Sequence, residues 1–155
     1  MKASVKRLTL TAVLSAAAIV LSFFESLIPP LPLMPPGAKL GLSNIVTMFA
    51  AGTLGLPAAL SIAVVKSAFV FLTRGITAGC MSLAGGLLST VMMWLVLVKL
   101  QRSYALGGVI GALSHNFAQL LVAYAITSTT VLFYVPFLVL FGVVITVVCF
   151  LLKRP

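Results

Sequence analysis

ESLIPPLPLMPPGAKLGLSN, residues Glu25 to Asn44, contains the one acidic residue of the chain and five of its eight prolines, set between long apolar runs. Proline fixes φ, lacks a backbone donor and pushes the residue before it out of helical geometry, so Pro29-Pro30-Leu31-Pro32 and Pro35-Pro36-Gly37 cannot continue a helix. In hydrocarbon, an irregular segment would leave N–H and C=O groups without partners. The stretch therefore lies outside the bilayer core or is covered by protein around a cavity, where a membrane protein commonly keeps a binding site.

The apolar runs on either side of this stretch set the architecture. A span needs roughly 20 apolar residues at about 1.5 Å each to cross about 30 Å of hydrocarbon. Six such segments are expected: Leu8–Ile28, a short Leu42–Leu54 closed by Gly55-Leu56-Pro57, Ala58–Thr73, Met81–Leu100, Ala105–Ile126 and Val131–Leu152. Arg74–Gly79 and Thr127–Thr130 are expected as turns. The second segment is short, since about 13 residues reach only about 20 Å. It is a tilted or half-depth helix, or it forms a re-entrant hairpin with the third. The expected fold is all-α: a polytopic membrane protein of six transmembrane helices, one domain over residues 1–155, with residues 29–41 as its proline-rich loop.

Composition agrees and excludes several functions. The 155 residues are 62% hydrophobic and 7% charged, with a mean hydropathy of +1.28, far from a soluble domain. A net charge of +9 does not indicate nucleic acid, because the basic residues sit at the ends of apolar runs and form no patch interleaved with aromatics. Lys2, Lys6 and Arg7 before an apolar run are also how a signal peptide begins, but this run is about 21 residues long, enough to span, and more spans follow. Cys80 and Cys149 are expected near opposite membrane faces, too far apart for a disulfide. One histidine and no CxxC give no metal site. A single carboxylate excludes paired-carboxylate chemistry and the aspartate-rich magnesium site that diphosphate chemistry needs, and there is no P-loop, so neither an enzyme nor a bound cofactor is expected.

Basic residues also set the orientation. Lys2, Lys6, Arg7, Lys99, Arg102, Lys153 and Arg154 fall on one side, and Lys39 and Arg74 on the other, with Lys66 inside a span. The positive-inside rule makes the first group cytoplasmic, so both termini face the cytoplasm and the proline-rich loop is extracellular, in a multi-pass protein of the cell membrane.

Topology leaves Glu25, Lys39, Lys66 and Arg74 unexplained. Lys66 sits near the middle of the third span, where a lysine costs about 2.5–3.5 kcal/mol on insertion scales. A structural ion pair with Glu25, one turn below the outer end of the first helix, or snorkelling would offset that cost. The other reading is a ligand contact: Lys39, Lys66 and Arg74 approach one mouth with a single anion to meet them, which suits an anionic group on a small solute. As anchors, Lys39 and Arg74 would simply mark helix ends. His115 and Gln119 lie i, i+4 on the fifth span with Asn116 beside them; they either hydrogen-bond between helices in a small-residue seam with Gly107-x-x-x-Gly111 or line a ligand cavity. Asn44 is a helix N-terminal hydrogen bonder or a cavity residue. Ala12-x-x-x-Ala16 on the first helix, and Ser82, Gly85, Gly86 and Ser89 on the fourth, allow another backbone to approach closely.

The combination ESLIPPLPLMPPGAKLGLSNIV, SLAGGLLS and GALSHNFAQLLVA resembles the Gx transporter family, also labelled heptaprenyl diphosphate synthase component I, over most of the chain. That family is similar to the substrate-binding S components of energy-coupling-factor transporters. The resemblance implies a six-helix bundle that captures a vitamin-like or precursor-like solute at the outer face and docks on a transmembrane coupling subunit driven by two ATPases. Ala12 and Ala16 match the small-residue docking motif, and Lys39, Asn44, Lys66, Arg74, His115, Asn116 and Gln119 become the expected solute contacts. The alternative is a non-catalytic membrane protein of isoprenoid, quinone or flavin-linked electron-transfer machinery, binding a partner or membrane lipid.

Overall fold

In the computed structural model, residues 2–27 and 41–127 are described. The apolar run that follows Lys2 forms α1 (Lys2–Leu27), and beyond Gly41 the chain forms α2 (Asn44–Thr53), α3 (Leu56–Arg74), α4 (Ile76–Trp94) and α5 (Tyr104–Thr127). Among the described residues there is no strand. The first five expected segments are thus helices. The sixth, Val131–Leu152, lies outside the described residues, as do Cys149, Lys39 and all of the proline-rich loop but Gly41. Four helical stretches are long and apolar enough to cross a membrane: Ser4–Leu27, Leu56–Arg74, Ile76–Lys99 and Tyr104–Ile126. With ten residues, α2 is not one of them.

The turns are tighter than expected. Instead of a loop over Arg74–Gly79, Gly75 alone separates α3 from α4, and α4 begins at Ile76 rather than Met81. Gly75 has φ +85°, a value that L side chains rarely adopt, so one residue reverses the chain. Gly55, also at φ +85°, does the same between α2 and α3, with Pro57 in the first turn that follows. At its far end α4 continues into a π-helical turn, Leu95–Lys99, where the Lys99 ammonium lies 5.5 Å from the centre of the Trp94 ring.

Packing follows side-chain size. The central helix α4 packs on α3 and α5, and α2 touches all four of the other helices, whereas α1 packs on α2 and α3 and is the least buried of the four long stretches. Ala18, Val46, Ala50, Ala51, Ala59 and Ile62 form a buried cluster, with Leu14, Ala17, Leu21 and Trp94 packed around it. Alanine at four of the six positions lets α1, α2 and α3 approach closely. At this end the Arg7 guanidinium donates to the Leu54 carbonyl at the end of α2. The opposite end, which carries Glu25 and Arg74, holds the polar residues.

Candidate functional site

The site grows from the C-terminal half of α3. Lys66, Ser67, Val70 and Arg74 are spaced so that one face of the helix carries them all. Lys66, Ser67 and Val70 are buried and Arg74 is exposed at the mouth. Lys66 is 2% exposed, and its Nζ donates to Asn44 Oδ1 at 3.1 Å. Asn44 opens α2, so the amide side chain that could have capped its helix instead holds the buried ammonium. One residue on, Ser67 Oγ donates to the Ala63 carbonyl at 2.8 Å and lies 3.2 Å from Ser82 Oγ on α4.

Glu25 is also buried, and it meets backbone. Its Oε1 accepts from the Gly41 amide and from the Leu42 amide at 3.3 Å, just ahead of α2. A carboxylate is stabilised there by N–H groups that lack helical partners and by the positive end of the helix dipole. Glu25 and Lys66 thus line the same pocket, each with its own hydrogen-bond partner: the backbone ahead of α2 for the acid, and Asn44 for the base.

From α5 come His115 and Gln119, 3% and 2% exposed, with Gln119 Nε2 2.9 Å from His115 Nε2. The imidazole fits because α4 has no side chain opposite it: a Cβ at Gly85 would stand 2.7 Å from His115 Nδ1, and one at Gly41 would stand 3.5 Å from Cδ2. The His115 Nδ1 and Gln119 Oε1 atoms are buried without a hydrogen-bond partner among the described residues.

These elements line a narrow, partly open cavity of about 10 Å³, room for about one water. Ser22 and Glu25 come from α1, Gly41 and Ser43 from the start of α2, Lys66, Val70 and Arg74 from α3, Ala78 and Ser82 from α4, and His115 and Gln119 from α5. Of the expected site residues, Lys66, Arg74, His115 and Gln119 therefore come together. Asn44 joins them through Lys66. Asn116 is buried on α5 but is not part of the pocket wall, and Lys39 lies outside the described residues. Ala12 and Ala16 are exposed on α1, toward the Arg7 end. Ser22, Gly41, Ser43 and Ser67 were not anticipated, although Ser22 sits three residues before Glu25 on the same face and Ser67 directly follows the buried lysine. Among the described residues no group of three histidine, cysteine or acidic side chains could hold a metal ion. The described residues thus bring Lys66, Arg74, Glu25, His115 and Gln119 to one polar chamber.

A family model described as Heptaprenyl diphosphate synthase component I matches residues 14–154. No curated protein and no solved structure matches the chain.

Proposed function

This chain belongs to the heptaprenyl diphosphate synthase component I family, and on that premise we propose that it is the solute-capturing subunit of a transporter, similar to the S components of energy-coupling-factor systems. It takes a small organic anion into the pocket from the extracellular side and docks through Ala12 and Ala16 on a transmembrane coupling subunit with its ATPases. The observation that carries this reading is Lys66. A lysine buried in a span is costly, and such residues mark substrate or ion sites when they face a cavity shared with other charges. Lys66 faces a pocket that it shares with Arg74, Glu25 and two polar residues of α5.

The reading is tested by purifying the protein from membranes and identifying retained small molecules by mass spectrometry. An anion should be found on the wild type and be lost from Lys66→Met at unchanged melting temperature; its absence from both overturns the proposal. Orientation is tested separately. A thiol introduced at Met34 should react with an impermeant reagent in intact cells, and one at Ser103 only after permeabilisation, whereas the reverse pattern would place the pocket at the cytoplasmic face.

A second reading rests on the family's description, which names a component of a prenyl diphosphate synthase. With one acidic residue in the whole chain, this component supplies no aspartate-rich magnesium site, so in that setting it is a non-catalytic membrane partner. Co-purification of a prenyl synthase in place of coupling ATPases would favour it.

A further inference from the structure

We propose that the chamber is a binding site for one water molecule, which accepts from the Lys66 ammonium, donates to the Glu25 carboxylate and meets the polar atom left over on Gln119, so that α1, α3 and α5 share it. The inference concerns the chamber itself and goes beyond the solute-capture reading.

Size comes first. The cavity measures about 10 Å³, the room that a single water needs. Buried waters settle where about two to four polar groups lack other partners, whereas cavities that stay dry are apolar. This one is walled by Glu25, Lys66 and Gln119 together with the hydroxyl-bearing Ser22, Ser43 and Ser82.

The unused bonding capacity in that wall is specific. An ammonium has three donors, and Asn44 Oδ1 takes one from Lys66. Glu25 accepts two backbone amides through Oε1, and a carboxylate has lone pairs for more. The two opposite charges thus line one cavity while each is held by a separate group, and a water between them completes the pair. Gln119 adds an independent observation. It is 2% exposed; one end of its amide meets His115 Nε2, and the other, Oε1, is buried without a partner among the described residues. Turning the amide over exchanges the roles, since His115 would then donate to the oxygen and an N–H group would be left instead. In either orientation one polar atom of Gln119 remains to be met. His115 Nδ1 lies against Gly85, which is not part of the cavity wall.

Charge selects water over an ion. A halide would meet the ammonium but stand beside the Glu25 carboxylate, and it has nothing to donate to Gln119 Oε1. A cation would be repelled by Lys66 and Arg74. Water is neutral, donates and accepts, and so suits both charges and both orientations of the amide. A chamber of this size takes in a solute only when its helices part, and this water is then what the solute displaces.

The test is a structure of the purified wild-type protein at a resolution that shows ordered water, from crystals grown in sodium bromide, with data collected at the bromine absorption edge. One peak without anomalous signal is expected, within about 3.2 Å of Lys66 Nζ, of a Glu25 oxygen and of the outer amide atom of Gln119. Bromide at that position, a chamber without a peak, or a peak out of reach of Gln119 overturns the inference. Gln119→Leu should lose the peak, and its persistence there counts equally against the bridge. Because Lys66→Met and Gln119→Leu each release the same water, the double variant should melt about 2–4 °C above the temperature that the two separate losses predict. Additive losses overturn the shared site, and if the variants do not fold, the wild-type density alone decides.

Discussion

The two ends of the bundle are built on the same helices by opposite means. On α3, Ala59 and Ile62 face one end, where they are fully buried and α1 and α2 close in over small side chains. About one turn on, the same helix presents Lys66 and Ser67, with Arg74 two turns further, and side-chain hydrogen bonds join the neighbouring helices around a chamber. Alanine removes the distance between helices, while lysine and glutamate require it to be kept. The alanine end can therefore act as the rigid part of the molecule, and the polar end as the part whose contacts exchange when something binds.

That contrast can be broken first at its most charged point. Lys66→Met should lower affinity for the retained anion by about 3–5 kcal/mol, the cost of leaving one member of a buried charge pair alone. Adding Glu25→Gln is the decisive arm. If Lys66 only balanced Glu25, the double variant would bind as the wild type does in calorimetry, whereas it is expected to fold and remain unable to bind.

Next in size are changes that fill space. Gly85→Val should displace the imidazole and cost about 1–3 kcal/mol of stability together with binding, while Gly86→Ala, whose added Cβ would meet its nearest neighbour at 3.6 Å, should melt at or slightly above the wild-type temperature. Ala18→Leu, at a fully buried position of the other end, should lose a similar 1–3 kcal/mol or so but leave affinity per folded molecule unchanged. A drop in affinity there would mean that the two ends are coupled.

The smallest effect sharpens the comparison. Ala12→Leu and Ala16→Leu lie on the exposed side of α1 and should shift stability by no more than about 0.5 kcal/mol. They should nonetheless reduce co-purification of a coupling subunit. Normal co-purification would assign those alanines to lipid contact.

The features legible in the sequence are those with short range. The i, i+4 spacing of His115 and Gln119, the lone lysine in an apolar run and the brevity of the second segment follow from periodicity and hydropathy. Partners across helices do not. Glu25 is matched by backbone amides beside Gly41, and backbone groups carry no residue-type signal. Gly85 reads as one more small residue until the imidazole opposite it is known. Nor does Gly75-Ile76-Thr77-Ala78-Gly79 reveal that a single left-handed glycine makes the turn, or that the Phe71 ring packs against Gly79 and thereby belongs to the helix pair. The solute contacts expected from family resemblance were of both kinds: Lys66 and Arg74 reached the chamber through one helix face, and Asn116 did not.

The brevity of α2 has a consequence for where its end lies. Its ten residues end at Thr53, well short of the length of α1 or α3, and the Arg7 guanidinium donates to the carbonyl of the capping Leu54. A helix of that length rises only about 15 Å, half of the hydrocarbon thickness, so its polar carbonyl end falls where α1 and α3 continue, and it is α1, through Arg7, that supplies the donor.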